Sequence, residues 1–422
     1  MKWDPQLNLT LAPTPVPILE FGRELNEIKR TTTSLSGQRF VTSVVADARS
    51  NDLESGFAKA WLKTKHRPVG ISPTDEVRIV DLFSGCGGMS LGIDEACRAL
   101  GKHPVHSYAA ELDPTYAAVY ARNFNPTSQH VGDVTEALSG VLGTPLSYRE
   151  RELRDSLGRV DLLCGGPPCQ GHSDLNNYTR RSDPRNSLYD RMARAAEVLN
   201  PRSVIIENVP GVQRDRTGVF TRTVGFLEQL GYSVYVTTLD ASEFGVPQAR
   251  KRTFVLALQS RKHLEHFTNV LEQLRNKQSR DVRWAIDDLN VQSGEFDRPS
   301  TLSDESQRRV NWLFETNSFE LPDSMRPDCH RLKQHTYKSV YGRMYPDRPA
   351  PTITTGCLVM GQGRFIHPTE PRTITPHEAA RIQSFPDFFD FGLQKRTTYA
   401  KLIGNAVPPL LAFPVGLGIL SS

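Results

Sequence analysis

The sequence predicts an α/β protein with a mostly parallel sheet covered by helices on both faces. Three observations predict it. Short apolar runs rich in Val, Ile and Leu recur between Val77 and Leu258. Segments with helical spacing separate them. The runs end in acids, glycines or aromatics, and an open parallel sheet binds its ligands beyond the carboxyl ends of its strands.

The strand candidates are VRIVDLF (77–83), HSYAAEL (106–112), HVGDV (130–134), RVDLLCG (159–165), SVIIENV (203–209), YSVYVTTLD (232–240) and RTFVLAL (252–258). The last two read as an antiparallel pair at the sheet edge. Helices are expected from Met89 to Leu100, over Pro114–Asn123, in 187–199 and in 218–231. Residues 1–76 read as an appendage. Pro13, Pro15 and Pro17 argue against a long regular element there, and TTTSLSG (31–37) reads as a loop. FAKAWLKTKHR (57–67) reads as a short basic helix, either touching phosphates or presenting a solvated face. After Arg261 the alternation stops. HLEHFTNVLEQLRNK (263–277) reads as a polar helix, and 281–345 as a smaller, irregular unit. Order returns at TPHEAARIQSF (375–385), where Thr375 caps a helix, Pro376 opens its first turn and Glu378 completes a capping box. The expected division is 1–76 extension, 77–259 catalytic domain, 260–345 recognition domain and 346–422 a return to the catalytic domain.

The 422 residues carry a formal charge of +4, which permits a nucleic-acid partner without establishing one. No apolar run reaches the roughly 18 residues of a membrane span. The N-terminus lacks the pattern of a signal peptide, so a cytoplasmic location is expected. The six cysteines are too few to staple a chain of this length. No CxxC occurs, and no structural metal is expected.

The turn DLFSGCGGMS (81–90) joins the first strand to the first helix. Glycines there permit a tight turn and leave room for a ligand at a helix start. Glu111 stands at the offset of a ribose-binding acid, and Asp133 ends the third run. These features leave NAD, FAD and S-adenosylmethionine open.

Cys169 sits in LCGGPPCQGHSD (163–174) behind Pro167 and Pro168, which stiffen its approach. A zinc deaminase site would need a second cysteine after PCQG, and none is present. A disulfide would need a nearby thiol. A buried inert thiol and a nucleophile remain. Glu207, ending the fifth run in IIENVPG, favours the nucleophile, because neighbouring strand ends would place the two in one cleft. A glutamate buried there acquires a raised pKa and can donate a proton.

At this point the chain resembles the DNA (cytosine-5)-methyltransferases. The likeness rests on DLFSGCGG (81–88), Glu111 of AAELD, GDV (132–134), GGPPCQG (165–171), ENV (207–209), QARKR (248–252), RTITPHEAARIQSFP (372–386) and GNAVPP (404–409), in the family's order. It spans about 77–258 and 340–422. It implies a Rossmann-like S-adenosylmethionine-dependent methyltransferase fold with a small irregular target-recognition domain. The implied cofactor is S-adenosylmethionine, leaving as S-adenosylhomocysteine. Its implied cradle is Phe83, Ser84, Gly85, Gly87, Gly88, Glu111, Leu112, Asp133, Val134, Pro167, Leu188, Asn405 and Ala406.

The resemblance also implies a mechanism. The Cys169 thiolate adds to C6 of a flipped-out cytosine, and Glu207 holds N3 and the exocyclic amine. Arg250 and Arg252 lie beside the base and its backbone. The loop 171–186 resembles the family's mobile lid, with Gln170, His172 and Ser173 toward DNA. His172 stands where phenylalanine is usual. His377 stands where arginine is usual, which is expected to weaken an ion pair. TITTG (352–356) resembles a family strand. In the recognition region, Arg326, Arg331, Lys333, Lys338 and Arg343 are candidate backbone contacts, and Gln334 and His335 candidate base contacts. The implied partner is double-stranded DNA, with a cognate restriction or defence component as a further one, and the implied state is a monomer without membrane attachment. Two other readings stand beside this one: the same chemistry on transfer RNA, and a non-catalytic DNA-binding homologue.

Overall fold

A computed structural model describes residues 15–46, 51–68, 75–168, 188–214, 218–275, 279–291, 293–331 and 339–422. Cys169, Gln170, His172, Ser173, Lys333, Gln334, His335 and Lys338 lie outside the described residues.

The described residues open with regular structure that the sequence reading did not anticipate. Strands β1 (Ile18–Glu24), β2 (Glu27–Thr33) and β3 (Arg39–Val45) form an antiparallel sheet. The prolines precede β1 instead of interrupting it. TTTSLSG divides between β2, which takes its three threonines, and the turn that follows. Alternation in β2 turns Ile28, Arg30 and Thr32 inward. Helix α1 (Leu53–Lys63) starts at Asp52, whose side chain accepts from the Ser55 amide. It is no free basic helix. Phe57, Trp61 and Leu62 are buried, Lys59 pairs with Asp287 at 2.6 Å, and Lys63 lies 3.7 Å from Asp288.

The central sheet contains β4 (Glu76–Leu82), β5 (His103–Glu111), β6 (Ser128–Val131), β7 (Leu162–Gly165), β8 (Ser203–Asn208), β9 (Ser233–Asp240) and β11 (Lys251–Leu258). Its order is β6-β5-β4-β7-β8-β11-β9. The first five are parallel. β11 runs antiparallel to both β8 and β9, so it fills an interior position, and of this antiparallel pair β9 alone lies at the edge. Strand order reverses between β4 and β7, which places a crevice beyond their carboxyl ends. The GDV motif is not strand. β6 stops at Val131, and Asp133 caps α4 (Val134–Ala137) because its carboxylate accepts from the Thr135 amide.

Between the strands run α2 (Gly88–Ala99), α3 (Pro114–Phe124), α5 (Tyr148–Leu157), α6 (Tyr189–Leu199) and α7 (Val219–Gln229). Helices α6 and α7 cover one face of the sheet with Met192, Ala195, Val224 and Leu227. The other face is covered by α2, α8 (Arg261–Leu274) and α14 (Pro409–Leu420). The expectation of a polar α8 is corrected: its inward face buries Leu264, Phe267, Val270 and Leu271. The helical segment 396–420 is long and apolar enough to pass for a membrane span, yet 83% of its apolar window is buried inside the fold. Helix α14 seats on α2 at Gly92, where a Cβ would lie 2.4 Å from the Pro409 carbonyl.

Beyond α8 come α9 (Val282–Ile286), α10 (Asp304–Glu315) and α11 (Asp328–Arg331), joined by irregular chain. A small core of Val310, Leu313 and Leu321 is completed by Met360 and Ile366, which lie past residue 345. Two short strands, β10 (Gln248–Ala249) and β12 (Ala350–Pro351), pair in parallel. TITTG follows β12 as non-strand chain, with Ile353 buried. Helix α12 (Pro376–Ile382) has the expected capping box between Thr375 and Glu378. Helix α13 (Arg396–Asn405) leads into α14.

His377 does not weaken the ion network around α12. Its Nδ1 lies 2.7 Å from Asp297 and its Nε2 2.9 Å from Asp387, and these carboxylates raise its pKa against the effect of burial. A neutral imidazole has one N–H, so two carboxylate partners favour the doubly protonated ring. Beside it, the buried Glu378 receives two hydrogen bonds from Arg372, at 2.7 and 2.8 Å. Burial raises the Glu378 pKa, but Arg372 and His367 outweigh it and hold the value down to about 2. An acid with a depressed folded pKa adds stability above its unfolded pKa and loses it as pH falls toward the folded one. Glu378→Gln is therefore expected to lower stability at pH 7 by about 3 kcal/mol. In urea titrations at several pH values, it should also flatten the loss between the ordinary 4.5 and about 2.

Candidate active site

The turn after β4 is bent by backbone conformations that few residues adopt. Phe83 has φ 57°, Gly85 56° and Gly87 90°. A left-handed phenylalanine is strained, and such strain gathers at ligand sites. The Ser84 amide donates to the Ala110 carbonyl at 3.1 Å, which ties the turn to the end of β5. Glu111 accepts from the amides of Gly85 at 2.8 Å and Asp113 at 3.0 Å. Burial nevertheless leaves its pKa above the ordinary carboxylate value. The Gly132 amide donates to the Glu111 carbonyl at 3.0 Å and draws in the segment carrying Asp133 and Val134.

The far end of the chain closes this turn. A Cβ on Gly88 would lie 2.4 Å from the Val407 carbonyl and 3.1 Å from the Ala406 Cβ. Two glutamines hold that return in place. Gln248 donates to Gln383 at 2.5 Å and accepts from the Ile353 amide at 2.8 Å, while Gln383 donates to the Ala406 carbonyl at 2.6 Å. Phe83 and Leu188 both pack against the core cluster on the α6 side. Ser84 Oγ is buried without a hydrogen-bond partner. Gly87 provides no side-chain cap for α2, so no cap residue occupies the first-turn amides. An orphaned hydroxyl, left-handed glycines and an uncapped helix start fit a polar ligand lying across this turn.

Not every expected cradle residue is enclosed. Leu112 is 70% exposed, and Asn405 is also exposed. Asp133 is exposed, with one carboxylate oxygen accepting from both the amide and the hydroxyl of Thr135. Val134 is buried in the core. Among the described residues, no group of three His, Cys, Asp or Glu could hold a metal ion.

Glu207, near the end of β8, lies 2.7 Å from Arg252 Nε. Its Oε2 is 3.1 Å from where a Cβ on Gly166 would sit. The carboxylate therefore faces the chain three residues before Cys169. Asn208 reaches the same stretch, donating to the Pro167 carbonyl at 3.3 Å. Burial raises the Glu207 pKa, with Arg252 and then Arg250 opposing it. Arg250 itself corrects an expectation. It is 1% exposed and donates to the carbonyls of Ile353 at 2.7 Å and Gly404 at 2.9 Å. Its guanidinium is buried, bracing the end of β10 against the C-terminal return.

Two of the described DNA-contact candidates are also turned inward. Arg343 lies over the rings of Phe314 at 4.3 Å and Phe319 at 4.8 Å, and donates to the Pro368 carbonyl. Arg326 donates to the Leu321 carbonyl, with 9% of its side chain exposed. Arg331 is exposed and pairs with Asp328 at 2.6 Å. The sequence reading missed Gln248 and Gln383, although the first stands inside the quoted QARKR and the second inside RTITPHEAARIQSFP. A glutamine bordered by such motifs was the available signal.

The fold and this crevice define a class: an α/β enzyme binding a nucleotide-like cofactor at the strand-order reversal. Comparison with known proteins narrows it. The C-5 cytosine-specific DNA methylase family matches residues 77–420. The chain is 48% identical over 384 residues to the type II methyltransferase M1.BsuMI of Bacillus subtilis, covering 89% of each. It is 30% identical over 382 residues to M.DdeI of Desulfomicrobium norvegicum, covering 80% of this chain and 86% of that one. The Dnmt2 methyltransferase structure from S. pombe shares the fold at TM-score 0.55 and 18% identity, over 82% of this chain and 98% of that one. The chain belongs to the C-5 cytosine-specific DNA methylase family, whose members transfer a methyl group from S-adenosylmethionine to cytosine C5.

Gly88→Ala is expected to weaken S-adenosylmethionine binding about tenfold in calorimetry, equivalent to 1.4 kcal/mol. The overlap with Val407 should also cost about 1–3 kcal/mol of stability. Gly37→Ala provides the control. Gly37 is left-handed where Gly88 is helical, but a Cβ there would meet nothing within 4 Å, and the change should leave cofactor binding unchanged.

Proposed function

We propose that the chain methylates cytosine in double-stranded DNA through a covalent adduct at Cys169, with Glu207 and Arg252 as its partners at the base. The observation that carries this reading is the Glu207–Arg252 pair, set against Gly166 at the mouth of the PPCQ loop. Cytosine C5 is a poor nucleophile. Addition of the Cys169 thiolate to C6 breaks the ring conjugation and moves the electron pair onto C5. Glu207, kept more protonated by burial, donates to N3 as charge builds on the ring. Arg252 orients that carboxyl group and limits how far its pKa rises. S-adenosylmethionine supplies the electrophilic methyl group that C5 takes. A base then removes the C5 proton and the thiolate leaves. Arg250 is a positioning residue, acting through the Gly404 carbonyl beside the GNAVPP return.

The cofactor cradle we propose is the turn Phe83–Gly88 with Glu111, Asp133, Val134, Pro167, Leu188, Asn405 and Ala406. Ser84 Oγ and the first amides of α2 suit the charged amino-acid end, and Glu111 suits the ribose hydroxyls. A base stacked in a duplex is out of reach of this crevice, so the nucleotide must be flipped out. The type II methyltransferase relatives support a restriction–modification setting; a cytoplasmic location and a monomeric state are part of the proposal.

Bisulfite sequencing of DNA from cells making the chain should show cytosine methylation in a defined sequence context, absent with Cys169→Ser. Methylation persisting with serine would remove the adduct from the mechanism. Methyl incorporation should occur on DNA and not on transfer RNA. Glu207→Gln should lower kcat by about 10²–10⁴. Arg252→Met removes the largest influence opposing burial at Glu207. The basic limb of the pH–rate profile should therefore move to higher pH.

A further inference from the structure

A second cavity lies away from the glycine turn, where the N-terminal sheet and α1 meet α2, α8 and α14. It is half-open, has a volume of about 80 Å3, and is lined by Arg30, Trp61, Glu95, Arg280 and Phe413, with Glu54 among its walls. That is room for more than one water. Its walls carry an unusual set of unmet donors. Arg30 Nε, Trp61 Nε1 and Arg280 Nε are each buried without a hydrogen-bond partner. The three side chains are 3%, 2% and 8% exposed, so bulk water does not compensate them. A buried donor left unmade costs roughly 1–3 kcal/mol, more when charged.

The charges point the same way. Arg30 has a carboxylate partner, with Nη2 2.9 Å from Glu95 Oε1, and Glu95 is shared with Arg98 at 2.7 Å. Arg280 has no carboxylate within ion-pair distance among the described residues. Its Nη1 donates to the Gly245 carbonyl at 2.9 Å, and its guanidinium lies 4.6 Å from the centre of the Trp284 ring. Burial lowers the pKa of both Arg30 and Arg280 to about 10, which leaves both charged at neutral pH. Glu54 and Asp52 act on Arg280 only from beyond ion-pair distance, so its buried guanidinium keeps unmet donors, and an anion in the cavity would engage them.

We propose that this cavity is a binding site for a small monocarboxylate, its oxygens accepting from Arg30, Arg280 and the Trp61 indole. Carboxylate oxygens suit the planar N–H edges of guanidinium groups. The remaining walls are largely apolar and include Phe57, Phe413 and Leu410, which suits an apolar body behind the charged head. Glu54 and Glu95 line the same space and disfavour a dianion such as phosphate. The site belongs to no part of the methyl-transfer crevice. It would stabilise the docking of the N-terminal sheet, because Arg30 sits on β2 and Arg280 precedes α9.

The test is calorimetry and thermal melting of the full chain with acetate, propionate, benzoate and phenylacetate, with benzamide and inorganic phosphate as comparisons. The carboxylates should bind and raise Tm, while benzamide and phosphate should not. Trp61→Phe keeps an aromatic side chain and removes the indole donor, and should weaken binding about tenfold, or 1.4 kcal/mol. Arg280→Gln should abolish it. If Arg280→Gln fails to fold, Trp61→Phe carries the test alone. Absence of binding by every carboxylate, equal binding of benzamide, preference for phosphate, or an unchanged affinity in Trp61→Phe would each overturn the proposal.

Discussion

The structure depends on one close approach: the Val407 carbonyl against Gly88 at the start of α2. Residues more than 300 positions apart in sequence meet there, at the turn that must receive the methyl donor. Only glycine allows it, because a Cβ would overlap the carbonyl oxygen. The approach is not an isolated contact. Gln383 receives one hydrogen bond from Gln248 and donates another to Ala406, and Arg250 donates to Gly404. The C-terminal return, the QARKR corner and the glycine turn therefore form one connected unit. Buried amides and guanidinium groups in such a network are expensive when any member loses its partner. That expense sets a single geometry for the crevice.

The charged groups of the site divide by what surrounds them. Arg252 and Glu207 face each other at the mouth of the PPCQ loop, where burial and ion pairing pull the carboxyl pKa in opposite directions. Burial is the larger influence, so the group stays closer to a proton donor than an exposed glutamate would. Arg250, two residues earlier, points the other way into the fold. Alternation along an extended segment sends successive odd and even residues to opposite sides, but residues 250 and 252 share parity. What separates them is the break between β10 and β11 at Arg250. The same partition between inward and outward cations recurs in the recognition region, where Arg343 lies over Phe314 and Phe319 as internal packing.

Much of the fold was legible because its signals are local. The alternation of apolar runs and helical spacing located the central strands to within a few residues. The Thr375 capping box was visible as a spacing of three residues. The antiparallel pair at the end of the sheet was also readable, though not the insertion of β11 beside β8. Failures came where tertiary packing overrode local character. The threonines of β2 read as loop until a neighbouring sheet and helix buried alternate residues. Helix α8 read as polar because half its surface is, while Phe267 and Leu271 supply the other half. His377 read as a weakened pair because its two aspartate partners come from positions 297 and 387, too far apart to be linked by spacing.

By itself the sequence determined the doubly wound class, the order of its motifs, and the residue types at the crevice: glycines at the turn, an acid after the second strand, a cysteine behind two prolines, a glutamate after the fifth run. These follow from short-range rules, since backbone torsions and side-chain periodicity act over a few residues. Tertiary structure alone decided which of two neighbouring arginines faces the glutamate, what closes over Gly88, and that the described residues ahead of β4 are part of the body of the protein. Those outcomes depend on contacts between segments far apart along the chain. Their energies arise from burial and hydrogen-bond satisfaction, which exist only once the segments have met.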